Sequence, residues 1–357
     1  MEPSKIIIWL RENDPTRLAE LWREADDVRR CCVGDEVHLR GLIEFSNHCA
    51  RRCAYCGLRA PNTNVPRYRM SEEEILACAR QAVAFGYGTV VLQSGEDPGT
   101  ETDWMAGLIR KIKAETPLAV TLSLGERSPE DLAAWREAGA DRYLLRFETS
   151  NPDLYDRIHP PRPDQGRSDR PALLKTLRKL GYEVGSGVMI GIPGQTYDDL
   201  ARDVALFARL DLDMIGSGPY LAHPDTPLGS GELGCVAADD RQVPADELTA
   251  YKVIALTRLV CPRANVPSTT ALATLNAADG RELGLARGAN VVMPNLTPSR
   301  YRTWYEIYPG KACVHETAER CHACLRQRIE AIGRSVATGR GDSPNYLRRR
   351  APAATSP

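Results

Sequence analysis

Phe45-Ser-Asn-His-Cys49-Ala-Arg-Arg-Cys53-Ala-Tyr55-Cys56-Gly57 begins where a strand-like run over 38–45 ends. Its cysteines are spaced Cys-x3-Cys-x2-Cys. A zinc ribbon wants two Cys-x2-Cys pairs, and a ferredoxin supplies a fourth cysteine nearby. Three thiolates leave a cubane iron–sulfur cluster one ligand short, so one iron stays open to a small molecule. The competing readings are structural zinc, or a chance grouping among the 11 cysteines of the chain. Position favours the cluster: a ligand-rich loop leaving the C-terminal end of a strand is the start of a βα unit.

That unit recurs. Strand-like segments at 38–45, 89–93, 118–124, 141–147, 183–190, 213–217, 264–268 and 290–294 alternate with helical patterns. Ser71-x-x-Glu74 is a capping box, and Ser128-Pro129 places a capping hydroxyl before a proline at the first helical position. Four helices end alike, at Phe85-Gly86-Tyr87, Ala138-Gly139-Ala140, Leu180-Gly181-Tyr182 and Arg287-Gly288-Ala289, each followed within a residue or two by a strand. Runs such as Thr89-Val-Val-Leu92 and Val291-Val-Met293 are nearly all apolar, as strands covered on both faces are. Eight such units predict an α/β fold, a (β/α)8 TIM-type barrel, over an open doubly wound sheet. The first βα turn lacks the Gly-rich dinucleotide fingerprint. The division expected is a helical extension over 1–36, the barrel over 37–310, a C-terminal segment over 311–334 and a disordered tail over 335–357.

Hydrophobic residues make up 43% of the 357, enough for one large barrel core, and the net charge is −1 with both signs interspersed. Nothing there suggests a nucleic-acid surface. Arg334, Arg340, Arg348, Arg349 and Arg350 read as a solvated tail. No apolar run reaches membrane-spanning length, Met1-Glu-Pro-Ser starts acidic, and Ile6-Ile7-Ile8-Trp9-Leu10 starts an amphipathic helix. An odd cysteine count argues against a disulfide framework. The expectation is a soluble cytoplasmic protein. The insert between Gly229 and Val243 reads as a surface loop.

Barrels of this kind keep their chemistry at the C-terminal ends of the strands, and polar residues gather there. The triplet follows the first strand and Ser94-Gly95-Glu96-Asp97 the second. Thr121 and Ser123 end the third, and Arg146 and Glu148 the fourth. Met189-Ile190-Gly191-Ile192-Pro193-Gly194-Gln195-Thr196 ends the fifth, and Thr269-Thr270 follows the seventh.

The triplet, with Tyr55 one place before its third cysteine, resembles the radical S-adenosylmethionine (SAM) superfamily. Longer stretches carry the likeness to its biotin synthase-like group and, within it, to the HydE-type maturases of [FeFe]-hydrogenase. Among them are Gly41-Leu-Ile-Glu-Phe-Ser-Asn47, Arg67-Tyr-Arg-Met70, Val91-Leu-Gln-Ser-Gly-Glu-Asp-Pro98, Thr121-Leu-Ser-Leu-Gly-Glu126, His223-Pro-Asp-Thr-Pro-Leu228 and Tyr308-Pro-Gly-Lys311. The resemblance runs from about Gly41 to Arg334. It implies that Cys49, Cys53 and Cys56 ligate a [4Fe–4S] cluster whose open iron chelates SAM. It places Tyr55 against the adenine and Ser94-Gly95-Glu96 at the methionine amino group. Glu148 then contacts SAM's polar groups and Arg170 its carboxylate, with Arg167 in reserve because the segment 159–166 runs long. Met189 and Ile192 line the adenine pocket.

For substrate it implies Arg146, Thr121, Ser123, Thr269, Thr270, Tyr305 and Tyr308 around an anionic ligand. That ligand is a small organometallic iron–cysteine complex, an iron dicarbonyl cyanide made by the partner maturase HydG. A 5′-deoxyadenosyl radical adds to its cysteine sulfur, HydF accepts the product downstream, and a ferredoxin or flavodoxin supplies electrons. Cys313, Cys321 and Cys324 match an auxiliary cluster site present in some relatives, with His315 and His322 leaving zinc open. The other cysteines, Cys31, Cys32, Cys78, Cys235 and Cys261, read as packing residues or inert thiols. Phe147 stands where many relatives carry His. The rival readings are a methylornithine synthase-like mutase and a non-catalytic iron–sulfur carrier.

Overall fold

The computed structural model describes residues 1–161, 166–234 and 239–351. Its strands, in chain order, are β1 Glu36–Ser46, β2 Thr89–Ser94, β3 Ala119–Ser123, β4 Arg142–Leu144 and β5 Glu183–Ser186. There follow β6 Met189–Ile190, β7 Met214–Ile215, β8 Gly218–Pro219, β9 Val291–Val292 and β10 Ser335–Val336. A parallel ladder runs β1-β2-β3-β4-β5-β7, and the other edge of β1 takes β9 and β10. The sheet curls round, with helices outside it.

Between β7 and β9 the expected seventh strand, 264–268, forms only isolated bridges, Asn265 to Met214 and Pro267 to Val291. A proline has no N–H to give a ladder, so regular pairing stops there while the ring still joins up. The expected strand 183–190 is broken too. A side chain on Gly187 would lie 1.9 Å from the Gly216 carbonyl oxygen. The backbones therefore approach at that point, and β6 resumes beyond it, paired with β8.

Local signals are realised as chemistry. Ser71 and Glu74 close their capping box, and Ser128 caps the helix Pro129–Glu137. Gly86 and Gly139 end their helices at φ 75° and 112°, the left-handed region that other residues avoid. The helix Pro3–Arg11 buries Ile6 and Leu10. It and Pro15–Val33 pack on the barrel helices Tyr197–Arg209 and Glu247–Val260.

The segment after 334 corrects the expectation of a solvated, disordered tail. Up to residue 351 it is built into the barrel base. Strand β10 pairs with β1, and a helix spans Pro344–Arg350. Arg334 donates to the carbonyls of Leu285 and Ala289 at 3.1 and 2.9 Å. Arg340 donates to Asp141 at 2.7 Å, and Arg349 pairs with Asp213 at 2.5 Å. Asp342 meets the buried Arg142 at 2.5 Å, and Arg142 also pairs with Glu183. Arg40, buried from β1, donates to Gly341 O at 2.9 Å. A side chain on Gly88 would fall 1.6 Å from Gly339 O, so this segment lies directly against the barrel floor. Only Arg348 and Arg350 of the five arginines are exposed. The reason is long-range charge pairing, which a run of arginines conceals when read alone.

Candidate active site

The loop leaving β1 is shaped by Arg67, whose guanidinium donates to the carbonyls of Asn47, Leu58, Arg59 and Asn62 at 2.6–2.9 Å. It is held to the loop after β2 by Ala50 N donating to Glu96 O at 2.9 Å. Gly95 has to be glycine: a Cβ there would lie 2.3 Å from His48 O and 2.7 Å from Cys49 Cβ. Cys53 is buried, and Cys49 and Cys56 are half-buried. Burial, reinforced by the neighbouring thiols, pushes the Cys53 thiol well above its ordinary range. Burial first, then Cys49, takes Cys56 up to about 12. Such thiols become thiolates together only when a strong cation compensates them, which is the service iron performs. The donor set therefore fits a cluster held by three thiolates, with Cys56 the member that lines the adjoining cavity.

Beside the triplet lies a buried ionic network. Arg51 reaches Glu126 at 2.5 Å and Glu96 at 3.3 Å. Arg170 reaches Glu126 at 2.8 Å and Glu96 at 3.7 Å, and donates to Arg146 O at 2.6 Å. Burial alone would raise the Glu126 carboxyl, but the Arg170 and Arg51 charges outweigh it and hold it below its usual value. Two carboxylates and two guanidiniums thus form a charge-balanced cradle. Glu148 sits at φ 63°, uncommon for a residue with a side chain, with Arg146 Nη2 3.0 Å from its Oε2. Tyr55 donates to Glu148 Oε1 at 3.3 Å and touches His159 Nε2 at 3.0 Å, while His159 Nδ1 lies 3.1 Å from Cys53 Sγ.

A cavity of ≈ 350 Å³ opens from this cradle into the barrel. Of the residues expected at SAM, Tyr55, Ser94, Glu148, Arg170 and Met189 line it. Gly95 and Glu96 stand just behind, in the contacts above. Ile192 is fully buried in a small apolar cluster with Met189, Ala54 and Leu228, against which Tyr55 packs, so it backs the pocket and does not face it. Arg167 is half exposed and paired with Asp156 at 3.0 Å, away from the cavity. Arg170 lines the cavity and Arg167 does not.

Of the residues expected at substrate, Ser123, Arg146, Thr269, Thr270, Tyr305 and Tyr308 line the cavity. Thr121 does not; it is fully enclosed among the strands. Phe147 points to the helix layer, its ring 5.8 Å from Phe207, so the departure from His leaves the cavity wall unchanged.

Three features were missed. Glu44 and Lys311 form a buried ion pair on the cavity wall, with Asn295 donating to Glu44 at 2.8 Å. Both residues lie in the stretches Gly41-Leu-Ile-Glu-Phe-Ser-Asn47 and Tyr308-Pro-Gly-Lys311, but nothing local pairs them across 267 residues. Arg51 stands between two cysteines, and its part shows only through the distant Glu96 and Glu126. His159 opens the long segment 159–166, where nothing local marks its contact with Cys53.

The C-terminal cysteines are partly assembled. Ligand atoms of Cys313, Glu316 and Cys321 lie within 4.8 Å of one another, whereas Cys324 is exposed and outside that group. Cys313, at φ 65°, takes contacts from Arg281 at 3.5–3.6 Å and its thiol is drawn down to about 6, first by Cys321. His322 stacks on Phe85 at 4.4 Å and bonds Tyr87. Cys78 is buried and donates to Leu296 O at 3.3 Å, while Cys31 is exposed. Cys235 lies outside the described residues.

Comparison with known proteins agrees with this geometry. Residues 43–207 match the radical SAM superfamily model. The [FeFe] hydrogenase maturase subunit HydE of Thermotoga maritima is 49% identical over 314 residues, 88% of this chain and 86% of that one. A 3-methylornithine synthase of Methanosarcina acetivorans is 28% identical over 79% of this chain and 75% of its own. The crystal structure of methylornithine synthase overlays with TM-score 0.77 over 94% of both chains at 24% identity. That of the maturase HydG from Carboxydothermus hydrogenoformans gives 0.69 over 83% and 67% at 18%. Both show the barrel fold. No described helix is long and apolar enough to cross a membrane.

Proposed function

Because this chain belongs to the radical SAM superfamily and to its HydE branch of [FeFe]-hydrogenase maturases, we propose that it acts on an iron dicarbonyl cyanide complex carrying cysteine, on the way to the di-iron subcluster. The observation that carries this reading is the convergence of three thiols, one buried and two half-buried, with the Arg51–Glu126–Arg170 cradle and an interior cavity. When bound, the cluster supplies the electron that breaks SAM to methionine and a 5′-deoxyadenosyl radical.

The chain's residues bind and aim. Cys49, Cys53 and Cys56 hold the cluster. Arg170 meets the SAM carboxylate through a charge-assisted bond, and Glu148 takes a ligand donor. Tyr55 and Met189, with Ile192 behind, give the adenine an apolar wall. Deeper in the cavity Arg146 would meet an anionic substrate, and the hydroxyls of Ser123, Thr269, Thr270, Tyr305 and Tyr308 would fix its polar ligands. Holding both reactants in one enclosed space keeps the radical from solvent. Attack on the cysteine sulfur, supply by HydG, delivery to HydF, reduction by a ferredoxin or flavodoxin and a cytoplasmic setting complete the proposal. Cys313, Cys321 and Cys324 serve as an auxiliary iron–sulfur site with no required part in the reaction, with Glu316 beside the first two.

The test is an anaerobic hydrogenase maturation assay with the partner maturases, SAM and this protein in place of HydE. Active hydrogenase, lost with Cys49→Ser, supports the proposal. Cleavage of SAM to 5′-deoxyadenosine without active hydrogenase would keep the chemistry and overturn the substrate.

A further inference from the structure

Acids and bases nearly balance over the whole chain, at a net charge of −1, but one stretch departs from that. Between Phe45 and Ser71 stand five arginines, at 51, 52, 59, 67 and 69, and no aspartate, glutamate or lysine. This is the loop that carries the cysteine triplet. Arg51 turns inward to Glu126 and Glu96. Arg52, next to Cys53, is exposed, and among the described residues its side chain has no hydrogen-bond, ionic or ring partner. Half-buried Arg59 donates to Cys53 O at 3.1 Å and Arg52 O at 3.5 Å. Arg67 donates only to carbonyls, so neither charge is met by a carboxylate. Arg69 pairs with Asp97, which lies fully buried beneath it. The one exposed acid bonded to the loop, among the described residues, is Asp225, on Asn64 at 3.3 Å. Exposed arginines elsewhere, such as Arg17, Arg30, Arg80 and Arg241, sit against carboxylates.

The same face carries an exposed aromatic. Arg67 donates to Asn47 O at 2.6 Å and Asn47 donates to Trp304 O at 2.7 Å, so the loop and Trp304 form one continuous surface. Trp304 is 37% exposed, its ring 6.2 Å from that of Tyr68 and 6.1 Å from that of Tyr301. Arginine and tryptophan are enriched where proteins meet, whereas lysine and glutamate are enriched on surface that stays solvated. A protein bound here lies over the loop whose Cys53 is one residue from Arg52 and is hydrogen-bonded by Arg59.

We infer that this face docks the protein that reduces the cluster: a small acidic one-electron carrier whose carboxylates meet Arg52 and Arg59, with Trp304 as the apolar contact. This rests on the radical SAM reading above, which requires an electron from outside the chain. In the docked pair the carrier is oxidised by one electron, and the cluster held by Cys49, Cys53 and Cys56 is reduced by one. Opposite charges of this kind speed encounter and select the partner.

The test uses reconstituted protein and two probes of net negative charge, an oxidised flavodoxin and an oxidised ferredoxin. Equilibrium titration at low and high ionic strength measures their association. Arg52→Glu removes no side-chain contact within the described residues, so the fold is spared. It is expected to weaken association of at least one probe about tenfold at low salt, an effect that fades at high salt. Arg23→Glu, a reversal at an exposed position on the helix Pro15–Val33, is expected to leave association unchanged. Cleavage of SAM driven by the reduced carrier is expected to slow with Arg52→Glu, while cleavage driven by dithionite, which needs no docking face, keeps its rate. Association indifferent to Arg52→Glu, equal weakening by Arg23→Glu, or equal slowing with both reductants overturns the inference. Weaker association without slower carrier-driven cleavage gives the face to another partner and overturns it too. Wild-type protein that cleaves no SAM with dithionite overturns the functional reading instead.

Discussion

Arg170 Nε lies 2.8 Å from Glu126 Oε1, and the two residues come from separate βα units. The guanidinium is thereby fixed by protein on one edge while the residue still lines the cavity. Its Nη1 is held by Arg146 O at 2.6 Å. An arginine so oriented meets a carboxylate without first being ordered. Arg170→Ala is expected to weaken SAM binding at least about tenfold, as loss of a charge-assisted hydrogen bond does. Arg167→Ala is expected to leave it unchanged. Titration of SAM into reconstituted protein checks both, and equal affinities for Arg170→Ala and wild type would return the carboxylate role to another residue.

Cys49→Ser is expected to abolish reductive cleavage of SAM while the fold persists, because Cys49 is half-buried and not a member of the hydrophobic core. Iron content, 5′-deoxyadenosine yield and far-ultraviolet circular dichroism measure the three parts.

Cys321→Ser is expected to retain most of that cleavage. Its partners Cys313 and Glu316 form a group that includes no member of the triplet, and it meets the cavity lining through Arg281, which contacts Cys313. A loss as severe as that of Cys49→Ser would give the second site a catalytic part.

Asp342→Ala leaves Arg142 and Arg40 at the barrel base with less negative charge. Glu183 remains beside Arg142, and Asp342 is partly exposed, so the cost falls below that of breaking a fully buried pair, at about 2–3 kcal/mol. Urea denaturation measures it. Stability within about 0.5 kcal/mol of wild type would make the segment a mere cover.

Asp203 is buried, accepting from Ser150 N at 2.5 Å and Gln195 Nε2 at 3.4 Å. Burial pushes its carboxyl from 3.8 up to about 7. The folded state therefore holds this proton more tightly than the unfolded chain. Its stabilising contribution is complete below pH 3.8 and is lost as pH rises to about 7. Wild-type stability is expected to fall relative to Asp203→Asn across that window, as followed by thermal unfolding at a series of pH values. A parallel pair of curves would contradict it.

What was legible in the sequence is what is local or periodic. The capping box at Ser71 and Glu74, the glycine helix ends and the cysteine spacing each need only a few neighbouring residues. What escaped depends on distant partners: Arg51 finds Glu126 75 residues away, and Arg340 finds Asp141 at a separation of 199. His159 escaped for a similar reason, since its contact with Cys53 spans 106 residues. The broken strands at Gly187 and Pro267 follow from backbone approach and a missing N–H, which apolar periodicity does not register.

The two ends of the barrel can fail separately. Without the segment after 334, Arg40 and Arg142 would have neither the Gly341 carbonyl nor Asp342, and β1 would lack β10 as a neighbour. The loop that carries the cysteine triplet would keep its hold through Arg67 and Glu96. Damage to the floor would then cost stability before it cost the chemistry of the site.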